Sequence, residues 1–139
     1  MSKPFLVLLH GYLGGGAQWN GQLQSFSEHF HVILPDLPGY GRNSKLQSPE
    51  TIQDYALYVL AELDKENIHT FHSLGHSMGG MIAQEIVLRA PERVKKLILY
   101  ATGPVGSIPG RFESIQVSRQ LLQEHGVDKS ARRISAKCW

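Results

Sequence analysis

Residues 68–80 read Ile68-His69-Thr70-Phe71-His72-Ser73-Leu74-Gly75-His76-Ser77-Met78-Gly79-Gly80. Ile68 to Leu74 has the make-up of a strand, weakened by His69, His72 and Ser73. Beyond the glycines, Met78, Ile82, Ile86 and Ala90 recur at helical spacing and stop before Pro91. Gly75-His76-Ser77-Met78-Gly79 therefore fits G-x-S-x-G in the setting that gives the pattern meaning, a strand turning straight into a helix. So sharp a turn strains its central residue and thrusts that side chain outward. The flanking glycines are needed where backbone nearly touches backbone. Ser77 Oγ is then exposed at a helix N-terminus, where the dipole and free N–H groups favour negative charge. This makes Ser77 the candidate nucleophile, with Gly75, His76 and Gly79 shaping its turn.

Working outward, Phe5-Leu-Val-Leu-Leu9 is a continuous apolar run, the pattern of a strand buried on both faces in a parallel sheet. A glycine-rich loop, Gly11–Gly16, leads to a short amphipathic helix marked by Trp19, Leu23 and Phe26. His31–Leu34 is a second strand, running into a Pro/Gly-rich loop from Pro35 to Gly41. Ser48-Pro49 predicts the start of a helix with Ser48 as N-cap, carrying Ile52, Tyr55, Val59, Leu60 and Leu63 on one face and stopping near Asn67. Val94–Ala101 is a fourth strand. A last helix is expected near Arg111–His125, with Gly126 as its C-cap. Strands alternating with helices predict an α/β fold, a parallel sheet of about four strands with flanking helices. The loops at Gly11, Asp36 and Ser77 all follow strands and gather at the carboxyl edge, where ligands of such sheets bind.

An oxyanion needs two N–H donors aimed at one point. Met78, directly after Ser77, supplies one. The loop after the first strand supplies the other if His10-Gly11 turns sharply enough to present the N–H of Tyr12. Asp36, in a turn, is expected to accept backbone N–H bonds rather than to do acid–base work.

Other chemistries find little support. Fourteen Lys/Arg against 12 Asp/Glu leave a charge of +2, too small to argue for nucleic acid. The single cysteine, Cys138, can neither staple the fold nor build a thiolate metal site. Gly14-Gly15-Gly16 does not complete a dinucleotide fingerprint, no G-K-[ST] occurs, and no H-x-x-x-H or H-E-x-x-H spacing suggests a metal. No cofactor, nucleic acid or membrane partner is expected. The run Phe5–Leu9 is too short for a secretory signal, so the cytoplasm is the default expectation.

Three segments together carry a family resemblance: His10-Gly11-Tyr12-Leu13-Gly14-Gly15-Gly16 with Trp19, Asp36-Leu37-Pro38-Gly39-Tyr40-Gly41-Arg42-Asn43-Ser44, and Gly75-His76-Ser77-Met78-Gly79-Gly80. From about Phe5 to Gly103 the chain resembles the α/β-hydrolase superfamily, in the cluster of enol-lactonases, carbon–carbon bond hydrolases and menaquinone-pathway MenH-like enzymes. The resemblance implies a serine hydrolase of a small ester, lactone, thioester or activated C–C bond. It implies Ser77 as nucleophile, and Tyr12 and Met78 as oxyanion donors. His10 and Gly11 shape the site. The partner is a small acyl substrate.

The family's chain order is Ser, then Asp or Glu, then His. After Ser77 the sequence holds His125 and then Asp128, the reverse order. The resemblance therefore implies residues 1–103 as the N-terminal half of a hydrolase core and 104–139 as the start of a cap, with the triad acid and histidine outside them. Such a chain is expected to be weakly active and to self-associate through an exposed sheet edge. The alternative is a non-catalytic hydrolase-like fragment or interaction module.

Overall fold

The computed structural model describes residues 2–104 and 115–138, in two compact units, Met1–Pro104 and Val105–Trp139. The first unit is a four-stranded sheet in the order β2-β1-β3-β4, made of β1 (Phe5–Leu9), β2 (His31–Ile33), β3 (Phe71–His76) and β4 (Val94–Tyr100). All neighbouring pairs are parallel. The connecting helices are α1 (Asn20–Ser27), α2 (Ile52–Lys65) and α3 (Met78–Arg89). The expected α/β architecture is the observed one.

The apolar run of β1 is buried on both faces, as its sequence predicts. Val7 and Leu9 face one core, with Tyr55, Ala56, Val59 and Leu63 of α2 and Ile82, Ala83 and Ile86 of α3. Leu6 and Leu8 face the other, with Trp19, Phe26 and Phe30. Val7, Leu8 and Leu9 are wholly buried; each such side chain contributes about 1.5–3 kcal/mol relative to exposure.

Two elements of the first unit differ from the sequence expectation by more than one residue. The second helix starts after Thr51, whose Oγ1 accepts the Asp54 N–H at 3.1 Å. Ser48 does not cap it, because its hydroxyl donates instead to the Pro38 carbonyl at 3.2 Å. The third strand begins at Phe71 rather than Ile68 and runs on through His76. Asn67, at φ 56°, closes α2, with the Ile68 N–H returning to the Leu63 carbonyl at 2.9 Å. The Ile68 and His69 carbonyls accept instead from Arg93, from Nη2 at 2.7 Å and Nε at 2.9 Å.

The second unit contains α4 (Ile115–Cys138), interrupted at Gly126 (φ 80°, ψ 174°). Gly126 thus breaks the helix where the sequence places a cap, but helix resumes beyond it. Asp128 lies in the first turn after the break, where a carboxylate favours a new N-terminus. The expected start at Arg111 lies outside the described residues. His125 and Asp128 both sit on this exposed helical segment, and His125 Nε2 lies 3.8 Å from Glu124.

Arg93 also pairs with Asp64 at 2.9 Å and lies over the Phe71 ring. Arg93→Ala should destabilise the first unit by about 2 kcal/mol, since charged hydrogen bonds are lost and partly buried carbonyls are left without their donor. Urea unfolding checks this; an unchanged midpoint would mean that water replaces the guanidinium without cost.

Candidate active site

The chain runs from β1 outward to β2 and then returns to β3 on the other side of β1, so connections leave the carboxyl ends of β1 and β3 in opposite directions. In open parallel sheets, ligands bind at such a point. Leu9 pairs with Gly75 in register, which sets His10 and Gly11 beside His76 and Ser77. Two segments that are 66 residues apart in sequence are therefore neighbours at the top of the sheet.

Ser77 stands between β3 and α3 with φ 54° and ψ −119°, a conformation that side chains rarely adopt. Its backbone is held from several sides. The Ser77 N–H donates to the Tyr100 carbonyl at 3.1 Å, and the Ser77 carbonyl accepts from Gly80 N–H at 2.9 Å and from Thr102 Oγ1 at 2.6 Å. Met78 is the first residue of α3, so its N–H has no acceptor within the helix.

The two flanking glycines are fixed by contact. A Cβ on Gly79 would come within 2.6 Å of the His10 carbonyl oxygen, and one on Gly75 within 2.6 Å of Gly80 Cα. A Cβ on Gly11 would stand 3.1 Å from Ser77 Cβ and 3.2 Å from His76 Nδ1, which shows how closely the first loop rests on the turn.

His10 is wholly buried. Its Nε2 accepts the Leu37 N–H at 3.1 Å, so its proton is on Nδ1, which donates to the Gly11 carbonyl at 2.9 Å. Gly14 N–H donates to the same carbonyl at 3.0 Å. In a planar trans peptide the Tyr12 N–H points opposite to the Gly11 C=O. Two donors on that carbonyl thus set the direction of the Tyr12 N–H. Asp36 behaves as its turn position suggests: Oδ1 accepts from Gly16 N–H at 2.7 Å, and Oδ2 from the Arg42 Nε at 2.9 Å and backbone N–H at 3.2 Å.

The structure brings Ser77, Met78, His10, Gly11, Tyr12, Gly75, His76 and Gly79 into one region. Two further residues belong there that the sequence patterns do not mark. Thr102 holds the Ser77 carbonyl. Gln18 lies between the first loop and His76, with Oε1 3.3 Å from Gly11 N and Nε2 3.2 Å from His76 Nδ1. Its only sequence signal is a polar residue shortly after a glycine loop, which is too common to carry meaning.

A family model described as the alpha/beta hydrolase fold matches residues 4–125. The chain belongs to that family. The pimeloyl-[acyl-carrier protein] methyl ester esterase of Vibrio campbellii (strain ATCC BAA-1116) is 35% identical over 130 residues, 89% of this chain and 49% of the esterase. The (E)-2-((N-methylformamido)methylene)succinate hydrolase of Acinetobacter baylyi (strain ATCC 33305 / BD413 / ADP1) is 33% identical over 120 residues, 86% of this chain and 46% of that enzyme. Among solved structures, the enol-lactonase from Burkholderia xenovorans LB400 superposes with a TM-score of 0.82 at 24% identity, over 96% of this chain and 50% of the lactonase. This α/β-hydrolase chain spans about half the length of the curated relatives it matches. No helix among the described residues is long and apolar enough to cross a membrane.

Burial holds both site imidazoles below the ordinary 6.5; for His10 the Gly11 carbonyl and Asp36 oppose it without prevailing. Burial pushes the Asp36 carboxyl up, but its bonds from Gly16 and Arg42 outweigh this and hold it below 3.8. The folded chain therefore binds fewer protons than the unfolded chain at acid pH, and stability rises with pH there. Unfolding free energy should be level above about pH 7, fall as pH drops below the unfolded imidazole value of about 6.5, and fall again near the carboxylate range. His10→Gln should flatten the first fall in urea titrations across pH. An unchanged slope would show that His10 is no more buried than in the unfolded chain.

Proposed function

We propose that this chain carries the nucleophile half of a serine hydrolase that cleaves a small ester, lactone, thioester or activated carbon–carbon bond. The observation that carries the reading is Ser77 at φ 54° between β3 and α3, with the Gly11 loop resting against it. In this mechanism Ser77 Oγ attacks the acyl carbon, and the N–H groups of Tyr12 and Met78 receive the oxygen as it gains charge. Removing one such donor costs about 10²–10³ in kcat. His10, Gly11, Gly75, His76 and Gly79 hold that geometry. No cofactor enters the mechanism.

A serine hydroxyl needs an adjacent base. Both ring nitrogens of His10 are engaged, and His76 Nδ1 lies against Gln18. In this reading the base and its orienting acid belong to residues outside this chain. Loss of the base costs about 10⁶ in kcat, and what is left over water is about 10³–10⁴. The chain by itself is then a weak esterase.

Its β4 edge supports a second, compatible role as an association surface. Ile98, Leu99 and Tyr100 are 50%, 45% and 54% exposed, and β3 is the only strand β4 pairs with among the described residues. Such an edge is a template for another strand, here that of a second copy. Purified chain should turn over p-nitrophenyl acetate barely above background and elute from a sizing column as a dimer or larger. A protein extended to its relatives' length should be labelled by a fluorophosphonate at Ser77 and not in Ser77→Ala. Labelling that persists in Ser77→Ala removes the nucleophile assignment. A monomeric chain with robust, Ser77-dependent esterase activity overturns the claim that the base lies elsewhere.

A further inference from the structure

We infer that Gln18 is a positioning residue that clamps the Gly11 loop to the Ser77 turn and sets the proton of His76. The inference deepens the hydrolase reading and rests on it for its catalytic meaning, though the clamp itself stands on geometry alone.

One side-chain amide spans the two halves of the site. The Gly11 N–H can only donate, so the atom facing it at 3.3 Å must be the amide oxygen Oε1. That leaves Nε2, which can only donate, 3.2 Å from His76 Nδ1. His76 Nδ1 is therefore the acceptor, and in the neutral ring its proton is on Nε2. The chain makes room for this bridge. A Cβ on Gly14 would stand 2.6 Å from Gln18 Oε1, so any larger residue at 14 would displace the amide.

The consequence for the site follows from the peptide that Gln18 holds. The Gly11 carbonyl is fixed by His10 Nδ1–H and Gly14 N–H. Gln18 fixes the N–H of the same residue. With both ends of Gly11 tied, the next peptide cannot rotate freely, and its N–H is that of Tyr12, the proposed oxyanion donor. The other end of the bridge is anchored on His76, whose ring lies between Tyr100 at 5.4 Å and Trp19 at 6.4 Å between ring centroids. Gln18 thus couples the orientation of the loop to the residue immediately before Ser77.

The test uses the whole chain labelled with ¹⁵N, and compares wild type with Gln18→Met and Gln18→Glu. Methionine keeps the length and apolar stem but neither hydrogen bond; glutamate keeps an acceptor for Gly11 and loses the donor to His76. In wild type, the imidazole nitrogen shifts should report His76 with its proton on Nε2. In Gln18→Met the Gly11 amide should exchange with solvent about five- to ten-fold faster, the scale of one net hydrogen bond, and His76 should become a mixture of tautomers. In Gln18→Glu the Gly11 amide should stay protected while the His76 proton shifts toward Nδ1, facing the carboxylate. This rescue at one end only is something a general loss of packing would not produce. Unchanged Gly11 exchange and an unchanged His76 tautomer in Gln18→Met would overturn the clamp. Boronate binding at Ser77, measured on a protein extended to its relatives' length, is the separate check: its absence there would sink the hydrolase reading, while amide exchange and tautomer still decide the clamp.

Discussion

Gly79 lies against the carbonyls of Leu9 and His10 at the end of β1, and this contact governs the top of the molecule. It lets α3 begin directly beneath the first loop, which forces Ser77 into its positive-φ turn. Residues in such regions cost of order 1–3 kcal/mol and persist only where the surroundings determine them. Here the surroundings are specific. Tyr100 accepts the Ser77 N–H, Thr102 and Gly80 donate to its carbonyl, and the Thr102 side chain fills the space that a Cβ on Gly80 would need. Gln84 adds a bond from Nε2 to the Gly103 carbonyl at 3.1 Å, tying the segment after β4 to α3.

In the proposed hydrolase the strained turn is useful only because of where the sheet places it. A parallel order of β2-β1-β3-β4 puts the ends of β1 and β3 side by side at a point where their connections diverge. The helix N-terminus at Met78 and the loop that begins at Gly11 then lie side by side at the carboxyl edge of the sheet. Buried His10 links this loop to Leu37 after β2, and Asp36 links Gly16 to Arg42. The loop that would present Tyr12 is thus braced on both sides by buried side chains.

Much of this was legible in the residues. The run Phe5–Leu9 announced a strand with two buried faces, and Gly75–Gly79 between a strand and a periodic helix announced the turn. Local patterns with one strong competitor were harder. Ser48-Pro49 looks like a helix start, yet the Ser48 hydroxyl is drawn to Pro38 and Thr51 caps instead. Ile68 looks like strand, yet Arg93, 25 residues later, takes its carbonyl. Thr102 and Gln18 carry no motif because their roles depend on residues 25 and 58 positions away. The helix beyond Gly126 has no comparable signal: a glycine stop is local, and the segment after it has little apolar periodicity to announce a restart.

The most direct test of the Ser77 site is a crystal structure of a protein extended to its relatives' length with a small alkylboronic acid, which adds to a serine hydroxyl to form a tetrahedral, oxyanion-like adduct. With the site as described, boron bonds to Ser77 Oγ and one boronate oxygen lies about 3 Å from the backbone nitrogens of both Tyr12 and Met78. A boronate whose oxygens all face solvent, or one that leaves Ser77 unmodified at saturating concentration, would contradict it.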